Sequence, residues 1–172
     1  MEEGDFRGAV CIASSTVTLA AHSEETLTAL KAKHPPAFAD ASGFPEISSD
    51  VSVSFFDFSC EEVIIAIKSF RSGSAGGPDG LRPQHLKDMT DPASGEGGKA
   101  LLLSLSKFLS FIFLGKTPPS ILSFFFGASL IALNKEDGGI RPIAIGCTLR
   151  RLVAKCAINR VKLSLCSKLA FF

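Results

Sequence analysis

Residues 128–145 read ASLIALNKEDGGIRPIAI and give the clearest fold signal in the chain. Two apolar, isoleucine-containing runs flank a polar segment that ends in two glycines, a pattern typical of a β-hairpin. Pro142 has no backbone N–H to donate, so we predict that its strand forms an edge of the sheet. The pattern therefore predicts one local antiparallel sheet in a chain whose other signals are helical.

Two cations of this hairpin are candidate phosphate ligands. Lys135 lies at the predicted tip and Arg141 at the start of the return strand. A lysine offers a point charge and an arginine a planar, two-pronged donor, so together they can close over a triphosphate. Cations at hairpin tips more often serve only solubility, and the pattern by itself leaves both interpretations open.

The charge of the chain changes sign along its length. The net charge is +1, but all 17 acidic residues and 11 of the 18 basic ones precede Ile140. The segment from Ile140 onward carries seven cations and no carboxylate. Such asymmetry suggests a polyanion-binding end. The alternative is an exposed helix face whose acidic partners lie elsewhere.

The cation-rich segment is predicted to form a helix, which we call the basic helix. Thr148 is a good N-cap, and the helix is predicted to run from there towards Lys168. Its apolar side is predicted to comprise Leu149, Leu152, Val153, Cys156 and Leu163.

Several further helices are predicted upstream of the hairpin. Ser59 begins a capping box with Glu62, and apolar residues follow at helical spacing to about Arg71. The other predicted helices span residues 23–34, 82–89, 99–114 and 118–125. Residues 34–54 are predicted to be a linker and residues 90–98 a polar, glycine-rich loop.

Residues 76–80 read GGPDG, which is typical of a turn. The segment contains neither the dinucleotide-binding nor the P-loop phosphate motif. Asp79 is a candidate acid by residue type, but an aspartate in this position more often caps the turn. We therefore predict a structural role for it.

The aromatic residues favour burial. The chain has 15 Phe and neither Trp nor Tyr, so no ring carries a polar group. These rings are predicted to form a core, or a core whose covering partner is missing. The apolar run 100–114 is shorter than the roughly 20 residues that a membrane span needs. A small membrane-associated protein built on the phenylalanine-rich runs remains the alternative.

The five cysteines and three histidines show no metal-ligand spacing. No metal site is therefore predicted, and the thiols are expected to be free, buried and in a reducing compartment. The N-terminus is acidic where a signal peptide would be basic. These features predict an intracellular protein, nuclear or cytoplasmic, that is not secreted.

Taken in order, the motifs resemble the reverse transcriptase region of LINE-like, non-LTR retrotransposons. Residues 68–81, KSFRSGSAGGPDGL, are similar to the segment that opens this region after an acidic-capped helix. Residues 126–135 and 138–145 resemble the family's pair of fingers strands, and residues 148–155 resemble the helix that follows. The resemblance covers roughly residues 59–168.

The resemblance implies an α+β fold that is mostly helical with one antiparallel β-hairpin, like the incomplete fingers of a right-hand polymerase. It divides the chain into an N-terminal helix and linker over residues 1–58 and a truncated reverse transcriptase fingers region over residues 59–172.

The same resemblance assigns roles to the cations. Lys135 and Arg141 would contact the phosphates of an incoming deoxynucleotide. Arg150, Arg151 and Lys155 would lie against the backbone of an RNA or DNA template–primer. These partners belong to the complete enzyme, and no membrane partner is implied.

Catalysis by the family depends on residues that this segment lacks. Polymerases hold two metal ions on carboxylates, which in this family lie in the palm, downstream of the basic helix. Here no acidic residue follows Asp137. The resemblance therefore implies no catalytic residue, metal site or cofactor in this fragment, and magnesium only in the complete enzyme. The fragment is expected to be inactive alone; a non-catalytic nucleic-acid-binding remnant is the alternative.

The missing palm also predicts exposed apolar surface, because fingers normally pack on a palm. We expect this surface around Leu152, Val153 and the phenylalanines at 124–126. The fragment is accordingly expected to be sticky or partly molten and to self-associate through that surface.

Overall fold

The chain combines helices with one small sheet. The computed structural model describes residues 18–34 and 57–169. These residues form six α-helices and one antiparallel two-stranded sheet, which confirms the predicted mixture of helices and one hairpin. They divide into two compact units, one of residues 18–34 and Leu130–Ala144, the other of residues 57–129 and 145–169.

The helices and strands begin close to the predicted positions. The Ser23 hydroxyl caps the first helix by accepting a hydrogen bond from the Thr26 N–H at 3.2 Å. Ser59 and Glu62 form the predicted reciprocal capping box. In chain order the elements are α1 (Glu24–Ala32), α2 (Cys60–Lys68), α3 (Pro83–Met89), α4 (Gly95–Phe113), α5 (Pro119–Phe126), β1 (Ala128–Asn134), β2 (Ile140–Gly146) and α6 (Thr148–Leu169).

Helices α2, α4 and α6 form the core of the second unit. They pack against one another, and α3 packs on α2. Each of the three contributes a fully buried apolar side chain, Ile67, Leu109 and Leu152 respectively. The Phe58 N–H, just before α2, donates to the Ser110 hydroxyl of α4 at 2.8 Å. Burying each large apolar side chain stabilises the fold by about 1.5–3 kcal/mol, so these contacts hold the basic helix in place.

The expectation that Leu152 and Val153 are exposed is wrong. Their exposed fractions are 0% and 8%, because α6 packs against α2 and α4 and both side chains join the apolar cluster.

Thr148 also differs from its predicted role as the N-cap of α6. Its hydroxyl donates to the Leu81 carbonyl, so it tethers the start of α6 to the preceding turn.

The expectation of exposed phenylalanines at 124–126 is confirmed for two of the three and is wrong for Phe125. Phe124 and Phe126 are 54% and 52% exposed, whereas Phe125 between them is buried in the core. Helix α5 therefore presents two aromatic rings to solvent, neither of which carries a polar group.

We predict that the Phe124 ring promotes self-association of the chain. Replacing Phe124 with serine should weaken association at a given concentration, because it removes exposed apolar surface without opening a cavity in the core. The measurement is sedimentation velocity over a range of protein concentrations, with Ser120→Ala on the exposed start of α5 as the control. Identical concentration dependence for Phe124→Ser and wild type would rule this contact out.

The predicted loop at residues 90–98 is only partly a loop. A 3-10 turn spans Pro92–Ser94, and α4 already begins at Gly95. The Asp91 carboxylate caps the turn by accepting a backbone N–H at 2.9 Å. Gly98 is buried, and a Cβ there would lie 3.0 Å from the Met89 carbonyl oxygen. Gly98 thus allows close packing within a helix, although the composition of this segment suggested a loop.

The hairpin belongs mainly to the first unit. Leu19 bridges to Leu133, and the Ala20 N–H donates to the Ala132 carbonyl at 2.9 Å, so residues 18–20 run antiparallel to the free side of β1. Among the described residues β2 pairs only with β1, which confirms that Pro142 lies on an edge strand.

Some predictions fall outside the described residues. They concern the linker beyond His34, the position of the Leu163 side chain, and the thiols of Cys11 and Cys166. The three described cysteines are free, as predicted; Cys147 and Cys156 are buried and Cys60 is half-buried.

Candidate functional site

Hydrogen bonds around Lys135 shape the hairpin tip. Its N–H donates to the Gly139 carbonyl at 2.8 Å, and its carbonyl accepts from the Gly138 N–H at 3.1 Å. Gly138 has φ +77°, a conformation that L side chains rarely adopt. The Asp137 carboxylate accepts from the Gly139 N–H at 2.9 Å. The sequence Asp-Gly-Gly thus fixes the backbone conformation at the tip, from which the Lys135 side chain extends.

Lys135 and Arg141, the two residues predicted to bind the nucleotide, line one depression of about 760 Å³. Lys135 Nζ lies 4.0 Å from Asp137 Oδ2, and both side chains are substantially exposed. Among the described residues, none forms a hydrogen bond or ion pair with the exposed Arg141 side chain. The rest of the lining is Thr18, Leu133, Asn134, Glu136 and Asp137. The two carboxylates reduce the positive potential, so a bound phosphate would have to replace Asp137 beside Lys135.

The GGPDG turn packs directly on the start of α6. A Cβ on Gly77 would lie 2.7 Å from Cys147 Cα and from the Gly146 carbonyl oxygen. The Asp79 carboxylate accepts the Leu81 N–H at 3.2 Å and the Cys147 thiol at 3.6 Å. The predicted turn-capping role of Asp79 is therefore confirmed, and the turn positions the first residues of the basic helix.

Two of the cations predicted to bind the nucleic-acid backbone, Arg151 and Lys155, meet at the C-terminal end of α2. Arg151 Nη1 donates to the Ala75 carbonyl at 2.8 Å, and Lys155 Nζ donates to the Ser69 hydroxyl at 3.0 Å. Arg151 Cζ and Lys155 Nζ lie 5.2 and 4.8 Å from the centroid of the Phe70 ring. The fold therefore brings Arg151 and Lys155 together over one aromatic ring.

Arg150 takes a different position. Its Nη1 donates to the Phe126 carbonyl at 3.3 Å, and its Cζ lies 5.9 Å from the centroid of the Phe126 ring. Neighbours in sequence on a helix point about 100° apart, so Arg150 and Arg151 reach different partners. The three predicted cations do not form one cluster.

Lys87 joins Arg151 and Lys155, although the sequence did not single it out. Its Nζ donates to the Phe70 carbonyl at 2.7 Å. A lysine in the last turn of α3 carries only the ordinary signal of a cation near a helix C-terminus. Its partner is set by the packing of α3 on α2, which no local pattern encodes.

The charge of Arg160 is neutralised within the protein. Its Nε and Nη2 donate to the two carboxylate oxygens of Glu62 at 2.8 and 2.6 Å, and Nη2 also donates to the Asp57 carbonyl at 2.9 Å. The hydrogen bond from Arg160 is the main cause of a lowered pKa for Glu62. Burial, reinforced by the Glu62 charge, raises the pKa of the nearby Cys156 thiol to about 11. Cys156 is therefore a protonated core thiol at neutral pH.

Within the described residues, no group of three or more His, Cys, Asp or Glu side chains is arranged to hold a metal ion. None of the helices in these same ranges is long and apolar enough to cross a membrane. No protein-family profile, curated protein or solved structure matches this chain.

Proposed function

We propose that this chain is the fingers portion of an RNA-directed DNA polymerase, a reverse transcriptase of the non-LTR retrotransposon kind. The observation that carries the proposal is the order of three motifs: the GGPDG turn, the hairpin with Lys135 and Arg141, and the basic helix α6. Each motif alone is common, but their succession at this spacing is specific. The role proposed for these residues is to bind nucleotide and template–primer.

The hairpin geometry supports the nucleotide-binding part of the proposal. Lys135 and Arg141 line one depression, and Arg141 keeps its guanidinium exposed. A guanidinium binds phosphate oxygens through two parallel N–H groups, which gives both affinity and orientation. The adjacent Glu136 and Asp137 lower the affinity for a bare anion, so the proposed ligand is a triphosphate accompanied by its own magnesium ion.

The basic helix supports the strand-binding part. Arg150, Arg151 and Lys155 are held by backbone carbonyls, a hydroxyl and aromatic rings. None of the three has a carboxylate partner among the described residues. Their charges therefore remain available to phosphates of a nucleic-acid backbone, which dominate the affinity of most nucleic-acid binding.

We predict that Arg141→Ala weakens binding of magnesium deoxynucleoside triphosphate about tenfold or more. A hydrogen bond to a charged group contributes about 1.5–3 kcal/mol, and 1.4 kcal/mol corresponds to a factor of ten in Kd. The measurement is isothermal titration calorimetry on the full chain. Arg82→Ala, which removes an exposed arginine outside the hairpin, is the matched control and should bind like wild type.

Three outcomes count against the proposal. If Arg141→Ala and Arg82→Ala bind the triphosphate equally well, the hairpin does not hold the nucleotide. If the wild-type chain binds a primer–template in a salt-dependent manner but no triphosphate, the alternative of a non-catalytic nucleic-acid-binding protein is favoured. Binding of neither ligand overturns both.

A further inference from the structure

Three cations from two helices converge on Phe70. Lys87 Nζ donates to the Phe70 carbonyl at 2.7 Å, while Arg151 and Lys155 lie over its ring at 5.2 and 4.8 Å. The Phe70 ring is itself buried, with 5% of its surface exposed. The residue that the three half-buried cations contact is therefore part of the core.

The cluster formed by Lys87, Arg151 and Lys155 retains its positive charge. The ion pairs in which both partners are described residues are Lys99–Glu96, Lys135–Asp137 and Arg160–Glu62, and none includes a member of the cluster. Lys87, Arg151 and Lys155 instead donate to the neutral oxygens of Phe70, Ala75 and Ser69. An ammonium has three N–H donors and a guanidinium five, so donors remain for a further acceptor.

Capping of the α2 dipole explains only part of this arrangement. A cation near a helix C-terminus is stabilised by the unpaired carbonyls there, and the effect is confined to the last turn. Arg151 and Lys155 over the Phe70 ring and Lys87 at the Phe70 carbonyl repel one another, and that repulsion grows with each cation added. A bound anion would relieve it, because one phosphate can accept hydrogen bonds from several of the three side chains.

We infer that Lys87, Arg151 and Lys155 form a single binding centre for a phosphate of a nucleic-acid backbone. The inference rests on the proposed function and sharpens it in two ways. It adds Lys87, from a helix outside the basic segment, to the strand-binding residues. It leaves Arg160 out, because Glu62 neutralises that charge.

The test is the salt dependence of binding to a fluorescein-labelled single-stranded 20-nucleotide oligouridylate. For single strands, log Kobs falls with log salt concentration by about 0.7 per phosphate contacted. Lys87→Gln should weaken binding and make the slope shallower by roughly that amount. Lys155→Gln should do the same. Lys99→Gln is the matched control, because Lys99 is exposed and already paired with Glu96.

A second variant separates charge from fold. Lys87→Arg keeps the cation and should restore the wild-type slope, whereas a merely structural defect would persist. Thermal unfolding of each variant by circular dichroism shows whether the fold is intact. Inorganic phosphate is added as a competitor at a concentration equal to that of the oligonucleotide, to distinguish a strand site from a site for the free anion.

The outcomes are distinguishable. If Lys87→Gln binds the oligonucleotide with the wild-type affinity and the wild-type slope, the inference is overturned and the proposed function still stands. Displacement of the oligonucleotide by equimolar inorganic phosphate also overturns it, since the site would then prefer the free anion. Absence of strand binding by the wild-type chain, even at low salt, removes the proposed strand-binding function and this inference with it.

Discussion

Replacing Gly77 with alanine is expected to destabilise the second unit by about 3 kcal/mol, at the upper end of the cost of overpacking. A Cβ at this position would lie 2.7 Å from Cys147 Cα, 2.7 Å from the Gly146 carbonyl oxygen and 2.8 Å from the Cys147 nitrogen. All three are backbone atoms at the junction of β2 and α6. No side chain can rotate away to relieve the contact, so the turn or the helix start must move.

The matched control is Gly97→Ala. Gly97 lies in α4, it is exposed, and a Cβ there would meet nothing within 4 Å. Alanine is the better helix former by roughly 0.8–1.0 kcal/mol, so this substitution should stabilise the protein. The same chemical change thus has opposite expected signs at two glycines.

Urea unfolding followed by circular dichroism measures both variants. With a slope of about 1–3 kcal/mol per molar urea, a loss of 3 kcal/mol lowers the midpoint by roughly 1–3 M. A Gly77→Ala midpoint within error of wild type would mean that the GGPDG turn does not pack tightly on α6. In that case the turn would not determine where the basic helix begins.

Local sequence signals predicted the elements of this fold well. The caps at Ser23 and Ser59, the helix beginning at Pro83 and the hairpin all depend on residues within a few positions of one another. Their determinants are hydrogen bonds between a side chain and a nearby backbone group, or a fixed φ at proline and glycine. Such signals can be read without knowing the tertiary structure.

Errors arose where packing overrides composition. The glycines at 95, 97 and 98 suggested a loop, yet they lie in α4, and Gly98 is needed where the helix passes close to Met89. Leu152 and Val153 were expected to be exposed because fingers normally pack on a palm. They instead bury against α2 and α4, so this unit forms its own apolar core.

The candidate site was predictable only as far as its residue types. The hairpin pattern located Lys135 and Arg141, which do line the same depression. The cation cluster could not be foreseen, because Lys87 reaches Phe70 across 17 residues of sequence and Lys155 reaches Ser69 across 86. Long-range partners of this kind are determined by the packing of α3 and α6 on α2.

Breaking the Arg160–Glu62 pair is expected to cost about 2 kcal/mol. Both side chains are mostly buried, with exposed fractions of 21% and 31%, and they share two hydrogen bonds. The expected cost lies between the 0–1 kcal/mol of an exposed pair and the roughly 3–5 kcal/mol lost when one partner of a fully buried pair is removed. The pair joins the start of α2 to the middle of α6, so its loss should loosen the packing of these helices.

Arg160→Met leaves the capping box intact, although it also removes the hydrogen bond from Nη2 to the Asp57 carbonyl. Glu62 also accepts the Ser59 N–H at 2.8 Å in the capping box, so changing Glu62 would disturb the pair and the cap together. Methionine keeps an apolar stem near Phe58, whose ring centroid lies 4.8 Å from Arg160 Cζ. Comparison of Arg160→Met, Ser59→Ala and the double variant measures how much of the loss belongs to each interaction.

The same pair makes a prediction about pH. The hydrogen bond from Arg160 holds the pKa of Glu62 below its ordinary value of 4.5, so the unfolded chain takes up a proton at higher pH than the folded one. The stabilisation is fully present above pH 4.5 and is lost as pH falls through the lowered pKa of the folded state. Wild type should therefore lose stability more steeply than Arg160→Met as pH falls below this value. Unfolding free energies measured between pH 7 and pH 3 test this; parallel curves for the two proteins would show that Arg160 does not set the Glu62 pKa.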